Sequence, residues 1–376
     1  MTSKKDTKPK KGKLKKINVA LQGGGSHGAF TWGVLDYLLE DGRLDIEGIS
    51  ATSAGSMNAV VMAAGFMEGR EDGAREYLRQ FWKRVSEAGS VFCPVSMTVE
   101  NPFASFMPKW MSPNWFGNMS MNTENSAMQM MSALAQNISP YQFNPLNLNP
   151  LRDILDEMVD FAALRKNKDF KLFITATNVR TGGSRIFTSP ELTRDMVLAS
   201  AALPNVFQAV EIDGEAYWDG GYVGNPSLWP LFYETEGIDL LIVHVNSIVQ
   251  NTIPKDAMNI EDRVNEITFN SAMLKEMRAI AFVQKLMERD MLKPEHRHKY
   301  KDVLMHAIRA ETVMRDFGMT TKLDTSWPLL TRLFDAGRQS AKSWMIENFD
   351  KIGKESSINL ERDYLDIAVD KKSKVK

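Results

Sequence analysis

Ser53 stands between Ala51 and Gly55 in ISATSAGSMNA, where an apolar run gives way to a helical one. Small residues on both sides let a strand turn sharply into a helix and leave the hydroxyl exposed, which is what a serine nucleophile needs. A serine alone at such a joint is more often a helix cap, so its neighbours must decide. An attacking oxygen needs donors for the oxyanion it creates. Gly23, Gly24 and Gly25 in LQGGGSHGAF would offer amides without side-chain obstruction, and the amide of Ala54 would join them at a helix N-terminus. The serine also needs a base. His244, His296, His298 and His306 all follow it, but His244 lies within an apolar strand and the other three sit among charged residues on expected helices. A carboxylate is the better candidate. Asp219 in YWDGGY follows an expected strand, and Gly220 and Gly221 after it free the backbone to approach the site.

The elements around these residues must hold them. INVALQ, from Ile17, reads as a buried strand, GGGSHG as a turn, and AFTWGVLDYLLEDG as a helix with Phe30, Val34 and Leu38 on one face. The pattern repeats as LDIEGISAT, SAG and SMNAVVMAAG, the last closed by Gly65, and two such units in succession predict a parallel sheet with helices packed on it. LRDILDEMVDFAALR predicts an amphipathic helix, DFKLFITATNV and RIFTS a hairpin over RTGG, and TRDMVLASAALP a helix stopped by Pro204. FQAVEI and EAYW predict a hairpin over Asp213 and Gly214, Asn225 and Pro226 shape a turn, and DLLIVHVN is the last clear strand. Beyond residue 250 the pattern is helical.

Composition narrows the chemistry. The chain of 376 residues has a formal net charge of −1, yet its first sixteen residues hold eight lysines and predict a disordered tail. No apolar stretch reaches the roughly 18 residues of a membrane span, and no signal peptide is legible, so a cytoplasmic protein, at most peripheral to a membrane, is expected. The single cysteine, Cys93, excludes an internal disulfide, and no metal or organic cofactor and no nucleic-acid partner is expected. Gly23, Gly25 and Gly28 also match GxGxxG, with Asp45 or Glu47 placed for a ribose, but a lone match of that kind is weak evidence for a dinucleotide. Residues 90–150 form an insert rich in Met, Asn, Pro, Trp and Phe. Phe106, Met107, Trp110, Met111, Trp115, Phe116, Met128, Met130 and Met131 would line an acyl-chain pocket, dip into a lipid surface, or simply pack under a long loop. The lysine tail would hold anionic lipid or stay solvated.

Together LQGGGSHGAF, TSAGS and ASAALPNVFQAVEIDGEAYWDGGYVGNPS resemble the patatin-like phospholipase family, in the family's order, over about residues 17–226. The resemblance implies an α/β fold, a three-layer α/β/α sandwich with a mainly parallel central sheet over residues 17–250, with residues 251–376 as a helical extension. It implies a lipid acyl hydrolase of phospholipase A or lysophospholipase type with a Ser–Asp dyad: Ser53 as nucleophile, Asp219 as base and the glycine turn as oxyanion hole. Ala51 replaces the first glycine of the family's GxSxG elbow, and His27 replaces its usual Arg or Lys beside the glycine turn, where any positive charge would depend on pH. An acyl-enzyme of this kind also suits acyl transfer or thioester hydrolysis, and Ala51 leaves open a lipid-binding protein without turnover.

Overall fold

The computed structural model describes residues 14–92, 139–250, 253–255, 257–297, 299–314 and 319–366. The lysine tail up to residue 13 and the Met/Trp-rich stretch from Cys93 to residue 138 lie outside the described residues, as does His298.

One mixed sheet runs through the molecule. Strands β1 (Lys15–Leu21), β2 (Leu44–Ala51), β3 (Lys171–Asn178), β4 (Ser184–Thr188), β5 (Val210–Ile212), β6 (Glu215–Asp219), β7 (Asp239–His244) and β8 (Leu304–Arg309) form it in the order β5-β6-β3-β2-β1-β7-β8, with β4 also paired to β3. The pairs β3-β2, β2-β1, β1-β7 and β7-β8 are parallel, while β4, β5 and β6 close one side as antiparallel strands. Parallel strands demand cover on both faces. Alternation along the strands supplies it. On β7, Leu241 and Val243 enter one core with Ile17, Val19 and Leu21 of β1, and Leu240 and Ile242 enter a second core on the opposite face.

Helices α1 (Gly28–Asp41), α2 (Ala54–Phe92), α3 (Pro150–Met158) and α4 (Arg194–Ser200) cover the first face, joined there by α6 (Trp327–Asn348). Helix α5 (Ala257–Glu288) covers the second through Met273, Met277, Ile280 and Ala281. α1 and α6 cross at glycines. A Cβ on Gly33 would strike the Phe334 carbonyl and one on Gly337 the Phe30 carbonyl, so the two backbones touch. Trp32 then packs on Phe334 with ring centroids 4.1 Å apart, and the buried Asp36 of α1 pairs with Arg338 of α6 and Arg75 of α2. Among the described residues no helix is long and apolar enough to cross a membrane.

Several elements differ from the expected ones. β1 starts at Lys15, two residues into the expected tail, because the Lys15 ammonium donates to the Phe349 and Ile352 carbonyls and is held in place. The helix after Ser53 runs through Gly65 and breaks at Gly69 and Arg70; Gly65 lies within it against Gly73 and Tyr77, so a glycine read as a stop serves packing. LRDILDEMVDFAALR divides after Met158 because Asp160 caps a new helical turn, accepting from the Ala162 and Ala163 amides. The extension beyond residue 250 is mainly helical, yet it contributes β8 to the sheet, so β7 is not the last strand. His306, expected on a helix, lies on β8, where its Nε2 meets Asp239 Oδ1 at 2.9 Å.

Candidate active site

The C-terminal ends of β1 and β2 bring the two sequence-predicted turns side by side. β2 ends at Ala51, α2 begins at Ala54, and the chain reverses within Thr52 and Ser53. The reversal forces Ser53 to φ 55°, a left-handed conformation that a non-glycine residue holds only when its surroundings insist, and whose cost is about 1–3 kcal/mol. The surroundings are specific. Ser53 N–H donates to Ser200 Oγ at 3.0 Å, and Ser200 in turn meets Ser56 Oγ at 2.9 Å. Thr52 Oγ1 donates to the Gly224 carbonyl at 2.7 Å, and Ser50 donates to the Ser227 carbonyl. Ala51 is the last residue of an ordinary strand and its methyl is buried in the first core, so this position needs no glycine.

The glycine turn presses against this elbow. A Cβ on Gly23 would fall 2.6 Å from Ser53 Cβ and 2.9 Å from the Thr52 carbonyl, so only glycine lets the turns meet. Gly23 departs from its expected role, however. Its N–H is already taken by Asn225 Oδ1 at 2.7 Å, which removes it from the set of oxyanion donors. The amides of Gly24, Gly25 and Ala54 donate to no acceptor among the described residues, and Gly24 and Ala54 are buried. Buried amides without a partner are rare, and donors left open in this way suit negative charge.

Asp219 closes the site from the other side of β2. It is the last residue of β6, fully buried, with its N–H on the Ala202 carbonyl at 2.9 Å and its own carbonyl accepting from Thr177 Oγ1 at 2.7 Å. Oδ1 accepts from Gly221 N–H at 2.7 Å, so Gly220 and Gly221 curl the chain around the carboxylate. Burial pushes the carboxyl up to about 7, opposed by the Gly221 amide and by the Ser53 hydroxyl. Ser53 therefore lies close enough to act on Asp219. Oδ2 nevertheless has no hydrogen-bond partner of good geometry among the described residues.

His27 and Gly28 open α1 beside the glycine turn. His27 Nε2 meets Thr321 Oγ1 at 2.7 Å, and burial together with the nearby Lys322 ammonium holds the imidazole down at about 3. It is neutral at physiological pH and cannot stand in for an oxyanion-binding cation. His244 is equally a neutral core residue, pushed down to about 4 by burial, with Nε2 3.4 Å from Asn270 Oδ1. Among the described residues no group of acidic, His and Cys side chains is gathered to hold a metal. The residues that sequence reading missed come from afar: Ser200, Asn246, Asn270, and Lys322, whose carbonyl lies over Gly25. Asn225, read as turn-shaping alone, contacts the glycine turn directly.

A family model for patatin-like phospholipases matches residues 19–232, which contain the glycine turn, the elbow and Asp219. Among solved structures, VipD from Legionella pneumophila is similar at 14% identity over 90% of this chain and 72% of that one, with a TM-score of 0.35. Two structures of ExoU in complex with SpcU, from the type III secretion system of Pseudomonas aeruginosa, are similar at 13% and 18% identity, each with a TM-score of 0.28. This chain spans 53% and 62% of those two ExoU chains and covers 88% and 89% of itself in doing so. No curated protein matches it.

Proposed function

Because this chain belongs to the patatin-like phospholipase family and is a lipid ester hydrolase, we propose that it cleaves carboxylic esters of phospholipids or lysophospholipids through a Ser53–Asp219 dyad. Asp219 takes the proton from Ser53 Oγ as that oxygen attacks the ester carbonyl. The tetrahedral oxyanion is held by the amides of Gly24, Gly25 and Ala54. Collapse breaks the ester bond, and the proton on Asp219 passes to the departing alcohol. Water, giving its proton to Asp219, then attacks the acyl-enzyme, and the returning proton restores Ser53 as the fatty acid leaves.

The observation that carries this reading is the unpaired Oδ2 of a fully buried Asp219 beside a serine held at φ 55°. A carboxylate near pH 7 in pKa can both accept and return a proton at physiological pH. Three of the histidines are committed elsewhere: His27 meets Thr321, His244 meets Asn270, and His306 is paired with Asp239. Ala51, which left room for a lipid-binding protein without turnover, sits in the strand without strain and no longer argues for that reading.

The test is hydrolysis of short- and medium-chain p-nitrophenyl esters by the full chain and by Ser53→Ala and Asp219→Asn. Both variants should lose at least about a thousand-fold in kcat/KM while keeping their folded circular dichroism. Turnover that survives Ser53→Ala would overturn the dyad. A phospholipid panel, with free fatty acid separated from acyl transferred to glycerol, then fixes the substrate and distinguishes hydrolysis from transfer.

A further inference from the structure

The peptide plane joining Gly23 to Gly24 is held on its carbonyl side. The Gly23 carbonyl accepts from Asn246 Nδ2 at 2.7 Å and more distantly from Asn225 Nδ2 at 3.4 Å, while the preceding Gly23 N–H is fixed on Asn225 Oδ1. In a trans peptide the C=O and the following N–H point in opposite directions. Holding the Gly23 carbonyl toward Asn246 therefore sends the Gly24 N–H to the other side of the plane, where it meets no acceptor among the described residues.

Asn246 is itself positioned. Its N–H and that of Val245 both donate to Gln22 Oε1 at 2.8 Å, Gln22 Nε2 donates to Asn270 Oδ1 at 3.0 Å, and Asn270 Nδ2 donates to the Ser247 carbonyl at 3.0 Å. All of these side chains are buried. Asn246 Oδ1 has no partner, so this residue is desolvated for one good side-chain bond, the one to Gly23. Asn270 stands on α5, and its neighbour Phe269 lies against the base loop: a Cβ on Gly221 would sit 2.9 Å from Phe269 Cε2. One helix of the C-terminal third thus reaches both halves of the site.

We propose that Asn246 is a positioning residue, which with Asn225 orients the Gly23–Gly24 peptide so that the Gly24 N–H meets the oxyanion, and that Asn270 on α5 holds Asn246 in place through Gln22. This rests on the Ser53–Asp219 reading. It gives the C-terminal helix a part in the reaction: it sets the aim of an oxyanion donor about which the glycine turn alone is indifferent.

Asn246→Asp keeps the shape and removes the donor. Its kcat on p-nitrophenyl esters should fall about 10- to 100-fold with KM within twofold, because only a transition-state contact is lost. Two further readouts separate aim from folding. The Ki of an alkyl trifluoromethyl ketone, whose serine adduct carries an oxyanion, should rise by the factor by which kcat/KM falls. Phosphonylation of Ser53 by a fluorophosphonate should slow in parallel, and it scores every variant without turnover. Asn270→Ala, which touches no glycine of the turn, should show the same signature at about 3- to 10-fold, and it decides the matter should Asn246→Asp not fold. Normal kcat and normal labelling in the folded variants, or a loss that follows the folded fraction while the ketone Ki stays fixed, overturns the proposal. Ser53→Ala run in parallel keeps the two readings apart. Labelling that persists in Ser53→Ala refutes the dyad, whereas an inert Ser53→Ala beside normal Asn246 and Asn270 variants refutes the relay alone.

Discussion

At the N-terminal end of the sheet, Asp239 accepts from His306 Nε2 at 2.9 Å and from Gly353 N–H at 2.8 Å, and Glu47 accepts from the Glu236 and Gly237 amides, each at 2.9 Å. At the C-terminal end, some 10 Å or more of strand away at 3.3 Å per residue, Asp219 has one amide on Oδ1 and nothing on Oδ2, and the Gly24, Gly25 and Ala54 amides have no acceptor among the described residues. The first end has orphans too, His306 Nδ1 and Asn18 Oδ1 among them, but its carboxylates are engaged. The same kinds of group are buried at both ends, but one end spends its polar atoms on itself and the other holds them open. On the proposed reading, the difference separates groups that hold the fold from groups kept open for a substrate.

The sharpest way to break this contrast is to remove a carboxylate from each end. Asp219→Asn should cost at least about a thousand-fold in kcat/KM with no loss of Tm at neutral pH. Asp239→Ala, which strands His306 and the Gly353 amide, should leave kcat/KM within about threefold and cost about 2–4 kcal/mol in urea unfolding. An Asp239 variant that loses activity without losing stability would erase the distinction.

Next in size is pH. Asp219 must be ionised to act, so log kcat/KM should rise with slope near one below about pH 7 and level off above it. Stability should move the other way. A carboxyl pushed up to about 7 from an ordinary 3.8 keeps in the folded state a proton that the unfolded chain has released, so its contribution is full below about pH 4 and is lost as pH rises to 7. Asp219→Asn cannot ionise. It should therefore be more stable than the parent by a margin that grows from pH 4 to pH 8 in thermal melts. Glu276, also pushed up to about 7 by burial although the Leu228 and Trp229 amides oppose the shift, gives a decline of the same sign in both proteins.

The smallest expected effect is at His27. Held down at about 3, it carries no charge at working pH, so His27→Gln should change kcat/KM by no more than about threefold and leave the acid limb where Asp219 puts it. A limb that shifted or vanished in this variant would move part of the proton chemistry to the imidazole.

Much of the candidate site's local geometry was legible because its requirements are local. Ser53 between small residues, the glycines at 23–25 and the DGG block each describe a turn that few other residues permit, and the strands between them alternate cleanly enough to predict the sheet. What escaped is nonlocal. Nothing in the sequence ties Asn246 to Gly23 or Asn270 to Gln22. β8 escaped for a different reason. LMHAIR is six residues with a histidine in it, between charged segments, and its strand character comes from pairing with β7, where His306 finds Asp239. Gly65 misled because a glycine that packs and a glycine that stops look alike in one dimension.

The order of residues along the chain also sets an order in time. The elbow and the glycine turn lie within the first 55 residues, but Gln22 waits for a partner 248 residues downstream and His27 for one 294 residues downstream. At 5–20 residues per second on the ribosome, the second wait is about 15–60 s. Until those residues have been made, the glycine turn lacks the downstream partners that Gln22 and His27 hold in the folded protein, so its local geometry is drawn early in the chain and fixed late.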